Sequence, residues 1–131
     1  MREERMGMFK VKARVANPSD PKMFFDEEFW VNTEVIHSIV PEDRLDAVGI
    51  KVAHTRELTQ FDGQRIRRYE GEALFTLPEF EETWTCLVVF GPKDSECVLG
   101  STAMAAFCVE PDPVAGKLRR VPAIRAAQLI S

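Results

Sequence analysis

One stretch constrains this chain more than any other: Phe29-Trp30-Val31-Asn32-Thr33-Glu34-Val35-Ile36-His37-Ser38-Ile39-Val40-Pro41. An apolar run enters a short polar break. A second apolar run leaves it and stops at a proline. This pattern predicts a strand that delivers Asn32 into a tight loop, then a second extended piece from Val35 to Val40.

The rest of the chain supplies partners for those two strands. Phe9, Val11, Ala13 and Val15 alternate with Lys10, Lys12 and Arg14, which is the period of a half-exposed antiparallel strand. Asn17-Pro18-Ser19-Asp20-Pro21 predicts a turn, and the strand toward Asn32 starts near Met23. Pro41 to Gly49 predicts a short helix. Proline suits its first position, Glu42 and Asp43 its positive end, and Gly49 a left-handed exit. Ile50 to Ala53 reads as extended.

Glu57 to Ile66 reads as a hairpin with Asp62-Gly63 as a two-residue turn, both residues at positive φ. The return strand runs from Arg65 to Leu77 with a bulge or bend at Gly71. Pro78 to Glu82 is a turn. Thr83 to Phe90 is apolar on both faces and predicts a central strand. A loop over Gly91–Ser95 and the run Cys97-Val98-Leu99-Gly100 follow. Ser101 to Phe107 is alanine-rich behind capping residues and predicts a second short helix. Cys108–Glu110 and Leu118–Val121 read as strands around a turn at Pro111–Lys117. Ile124, Ala127 and Ile130 recur at helical spacing in the tail.

Many short strands separated by turns indicate an all-β chain, a small barrel or sandwich with one or two short helices. Its 131 residues fit one domain. A net charge of -4 offers no general attraction to nucleic acid, and Arg65-Ile66-Arg67-Arg68 reads as the solvated face of a strand. No apolar run is long enough to cross a bilayer, and Met1-Arg2-Glu3-Glu4-Arg5 lacks the apolar core of a signal peptide. A cytoplasmic location without membrane contact is the expectation. Cys86, Cys97 and Cys108 form no CxxC pair, and neither His37 nor His54 stands at zinc-ligand spacing from them. The three read as small buried thiols, with no metal and no cofactor expected. His37 and His54 read as solvent-facing or hydrogen-bonded structural histidines. Asp26, Glu27 and Glu28 read as exposed or edge charges, and Trp30 and Trp84 as core or interface anchors.

Taken in order, these signals resemble the retropepsin-like (retroviral-type) aspartic proteases. That family carries hydrophobic-Asp-Thr-Gly-Ala followed by a strand ending near Val-Pro. Here Asn32 stands at the Asp position, Thr33 is retained, and Glu34 stands at the Gly position. Ile39-Val40-Pro41, a flap hairpin at Asp62-Gly63, and Val98-Leu99-Gly100 leading into Ser101–Phe107 continue the series. Val109 to Leu118 resembles the end of a prokaryotic, stand-alone branch. The likeness covers residues 8–122, with 1–7 as a disordered N-terminus and 123–131 as a tail, helical or at a dimer interface.

The resemblance implies a small closed barrel and a symmetric homodimer, with Asn32 of each protomer on the two-fold axis. Thr33 would lock the two loops. Phe61, Asp62, Gly63 and Gln64 at the flap tip would contact a peptide. An aspartic protease needs two carboxylates sharing one proton, one to take a proton from water and one to polarise the scissile carbonyl. Asn32 does not titrate usefully, and Glu34 puts bulk and charge where glycine lets two backbones approach. These departures imply a catalytically inactive peptide-binding or assembly homodimer. The alternatives are a working aspartic endopeptidase, drawing its carboxylate from Glu34 or a partner subunit, and a structural β-domain with no cleft function.

Overall fold

The computed structural model describes residues 7–60 and 62–121. Among them, nine strands and two short helices follow one another as β1 (Lys10–Asn17), β2 (Asp20–Val31), β3 (Ser38–Pro41), α1 (Glu42–Ala47), β4 (Val52–Thr59), β5 (Arg65–Leu77), β6 (Glu82–Gly91), β7 (Val98–Leu99), α2 (Ser101–Ala106), β8 (Val109–Asp112) and β9 (Lys117–Arg120). The chain is therefore mostly β, as its turn spacing requires.

Seven strands form one sheet in the order β1-β2-β7-β3-β6-β5-β4. β1 also pairs with β5, Arg14 to Ala16 facing Thr76 to Leu74. That pairing closes six strands into a ring and leaves β4 outside it, paired among the described residues with β5 alone. β8 and β9 make a separate ribbon. Inside the ring, the apolar positions of the alternating strands converge. Val15, Phe29, Val31, Val40, Phe75, Val88, Leu99 and Phe107 are fully buried, and Phe29 meets Phe75 edge to face at 5.9 Å. Burying one such side chain contributes about 1.5–3 kcal/mol.

β6 is the central strand its composition predicts, parallel to β3 on one side and antiparallel to β5 on the other. β5 spans Arg65–Leu77 as expected. Gly71 is required there, because a Cβ would meet the Lys51 carbonyl oxygen at 2.3 Å. The bulge itself lies opposite it on β4, between Val52 and His54. Gly49 leaves α1 at φ +78°, the left-handed exit expected of it.

Several expectations need correction. Gly7 is packed rather than frayed, since a Cβ there would lie 2.3 Å from the Val31 carbonyl oxygen. β2 begins at Asp20, because Asn17 Oδ1 accepts the Ser19 N–H at 2.8 Å and turns the chain early. β3 is only four residues long; the preceding 32–37 are loop. Pro41 stands just before α1 rather than in its first turn. Neither Ser101 nor Thr102 caps α2, whose N-cap is Gly100.

The β4–β5 turn is not a two-residue turn. Gln60 N–H donates to Gln64 O at 2.8 Å, Gly63 N–H donates to Gln60 O at 2.9 Å, and Gly63 alone among the described tip residues has positive φ, +87°. This is the longer hairpin loop closed by a left-handed glycine. Cys108 is exposed rather than buried, and Trp84 is exposed and so is no core anchor. β9 starts one residue early, at Lys117, and ends at Arg120. The expectations for 1–6, Phe61 and 123–131 lie outside the described residues. No helix among those described is long and apolar enough to cross a membrane.

Candidate functional site

The loop at 32–37 is held from three sides. Trp30 and Val31 pair in parallel with Val98 and Leu99 of β7, and Asn32 N–H donates to Leu99 O at 3.2 Å. On the other side, Val31 N–H donates to Phe9 O at 2.8 Å and Met8 N–H to Val31 O at 2.9 Å. The strand end is thus fixed in position where the chain turns. Asn32 Oδ1 then accepts the Glu34 N–H at 3.0 Å, an Asx turn that folds the loop back. Asn32 is half-buried, whereas Thr33, Glu34 and Ile36 are exposed.

The third side is α2. Val35 O accepts the Ser101 N–H at 2.8 Å, and Ile36 O accepts the Thr102 N–H at 3.0 Å. Thr102 Oγ1 also donates to Ile36 O at 2.7 Å. The first turn of α2 leaves N–H groups without helical partners, and the loop's carbonyls take the role a side-chain cap would have. Such a crossing needs Gly100: a Cβ there would meet Ile36 O at 2.7 Å and Val35 O at 2.8 Å.

His37 closes the loop onto the β4–β5 hairpin. Its Nδ1 contacts Oε2 of Glu70 on β5. His54 Nε2 lies 2.6 Å from Glu70 Oε1, and Arg56 brings Nε to 3.1 Å and Nη2 to 2.7 Å of the same oxygen. Glu70 is fully buried. Desolvation pushes its carboxyl up, but the Arg56, His54 and His37 donors together outweigh it and hold the group below its ordinary value. An ionised carboxylate only accepts, so the facing atoms, His37 Nδ1 and His54 Nε2, are assigned the hydrogens.

Sequence reasoning left both histidines as structural groups and did not single out Glu70 or Arg56. The hairpin register carries a signal only with the longer tip loop, which sets His54 directly opposite Glu70. The His37 contact spans 33 residues, and no local spacing encodes it.

The remaining candidates separate from this cluster. Asp62, Gly63 and Gln64 are exposed at the hairpin tip, where Asp62 Oδ1 accepts the Gln64 N–H at 2.9 Å. Asp26 pairs with Arg14 at 2.7 Å and Glu27 with Arg44 at 3.0 Å, as strand-face charges. Of the basic run, Arg65 and Arg67 are exposed. Arg68 is half-buried and donates to Phe90 O at 2.8 Å and to Glu42 at 3.2 Å, so it is a structural tie rather than a solvated charge. Trp30 Nε1 contacts Glu96, and Lys10 Nζ lies 5.0 Å from the Trp30 ring centroid. Among the described residues, no group of three or more His, Cys, Asp or Glu side chains is placed to hold a metal ion.

No protein-family model and no curated protein matches this sequence. Among solved structures, the chain is similar to the solution structure of simian foamy virus (mac) protease, at a TM-score of 0.53 and 13% identity, over 79% of this chain and 99% of that one. The likeness is one of backbone arrangement, which in this chain is mostly β with two short helices. This chain has the retropepsin-like protease fold.

Proposed function

We propose that the protein is a homodimeric peptide-binding or assembly module of retropepsin fold that has no peptidase activity of its own. The observation that carries this reading is Asn32. The side chain at the end of β2 is an amide whose Oδ1 accepts the Glu34 N–H within the loop, and an amide supplies neither the ionised nor the protonated carboxyl that the reaction needs. Glu34 hangs from a different point of the loop and is exposed, and catalysis tolerates little displacement of its acid.

Two features support retained binding. Thr33 and Glu34 of the loop and the hairpin tip at 62–64 are exposed. Extended peptides pair with exposed backbone through main-chain hydrogen bonds that need no catalytic acid. In a symmetric dimer Thr33 would face its mate across the axis.

The test is incubation with a mixed peptide library from about pH 3 to 8, with and without an aspartic-protease inhibitor. No inhibitor-sensitive cleavage is expected from the natural chain. Cleavage that appears in Asn32→Asp combined with Glu34→Gly would show a sound frame lacking its acid. Inhibitor-sensitive cleavage by the natural chain would overturn the proposal. Peptide retention and sedimentation measure the binding and dimer components separately.

A further inference from the structure

Glu70 is a fully buried acid with no part in the chemistry just described. Its donors come from two separate parts of the fold. His54 and Arg56 belong to β4, the strand outside the ring, and His37 belongs to the loop that begins at Asn32. The carboxylate is thus the junction between hairpin and loop. We propose that Glu70, His37, His54 and Arg56 form an acid-released latch that fastens the root of the β4–β5 hairpin to the Asn32 loop. The latch rests on these contacts alone and does not depend on peptide binding.

The surroundings decide how it behaves. Along β5, Arg68 lies two residues toward the tip and is held by Glu42 of α1 and by Phe90 O. Glu72 lies two residues the other way and is exposed. Across the strand pair from Glu70 stands the apolar Val89 of β6. Charge inside the junction is therefore one carboxylate, one guanidinium and two imidazoles. While Glu70 is ionised, each donor meets an anion, and charge-assisted bonds of this kind are about twice as strong as neutral ones.

Once Glu70 is protonated, that balance is lost. Its folded value lies below the ordinary one, so it protonates only at a pH where imidazoles ordinarily carry charge. Arg56, His37 and His54 would then crowd a neutral group, with Arg56 Nη2 only 3.2 Å from His54 Nε2. Repulsion between like charges at that range opens the junction. Among the described residues the hairpin on the tip side of Glu70 then keeps its own pairing and the Arg68 tie to Phe90 O and Glu42, since β6 pairs with β5 from Glu70 onward.

The experiment is amide hydrogen exchange on the full chain, with protection corrected for intrinsic rates, at about pH 7 and about pH 3. In the natural protein, amides of 52–59 and 65–70 should lose protection about tenfold or more on acidification, while β1 and β6 keep theirs. Glu70→Gln should show the same loss already at neutral pH and no further loss in acid. His37→Gln, at a partly buried side chain, cuts the loop tie alone and serves if Glu70→Gln does not fold; it should loosen the hairpin partially at neutral pH. Equal hairpin protection at both pH values in the natural chain would overturn the latch. So would a loss shared equally by β1 and β6, or a His37→Gln hairpin as protected as the natural one.

Discussion

Gly100 donates its N–H to Ser38 Oγ at 3.0 Å, and both residues are buried. This bond joins the start of β3 to the turn into α2, directly behind the Asn32 loop. Ser38→Ala should leave the Gly100 N–H without a partner and cost about 1–3 kcal/mol. Gly100→Ala should cost more, because its new methyl would press on backbone atoms of Val35, Ile36 and His37 rather than on a side chain that can rotate away. Chemical denaturation of the two variants beside the parent measures both, and the reverse order would refute the crossing.

Asn32 separates the folding role of its position from any catalytic one. Asn32→Asp keeps an oxygen for the Glu34 N–H, so it should cost less stability than Asn32→Ala. Asn32→Ala removes that acceptor and should lower stability by about 0.5–1.5 kcal/mol. Thermal midpoints above neutral pH, where the aspartate is ionised, are the measurement.

Glu70 gives the protein an acid-side dependence whose sign is fixed. A carboxyl whose folded value is depressed contributes stability above its unfolded value and loses it as pH falls through the folded one. Stability of the natural chain should therefore decline on the acid side partly through Glu70, and Glu70→Gln should flatten that decline. At neutral pH the variant should lose about 1–3 kcal/mol, less than a sealed ion pair would, since Arg56 and His54 are both partly exposed and water can solvate them. Denaturant midpoints across pH test both statements.

The thiols should divide cleanly. Burial pushes Cys86 up to about 11 and, with Glu27 adding to it, Cys97 up to about 12, whereas Cys108 is exposed. Since the thiolate is the reactive form, a thiol reagent should label one cysteine rapidly in the native protein. The other two should react only after denaturant is added. Rapid labelling of Cys86 or Cys97 would contradict the packing of β6 and β7.

Much of this architecture could be read from local chemistry. Alternation in β1, the apolar β6 and the glycine at 49 each announce their own conformation. The hairpin shows where such reading stops. A two-residue turn at 62–63 would place Thr55 opposite Glu70, while the observed loop places His54 there. One residue of slip moves every side chain to the other face, so the turn type alone concealed half the Glu70 cluster. The other half was hidden because His37 reaches Glu70 through tertiary packing. At the loop, the motif positions told where the chain would turn. That carbonyls of Val35 and Ile36 would seat α2 was not legible, because backbone acceptors leave no mark in a sequence.

The ring closes through residues 74–76 of β5, and among the described residues the backbone of β5 from Arg65 to Tyr69 pairs with β4 alone. Two-sided and one-sided backbone pairing are therefore assigned to different lengths of one continuous strand, divided near Gly71. Substitutions toward the tip can alter how the projecting arm moves without touching the hydrophobic interior, and a stiffer interior does not freeze the arm. Selection could tune the two independently along a single thirteen-residue strand.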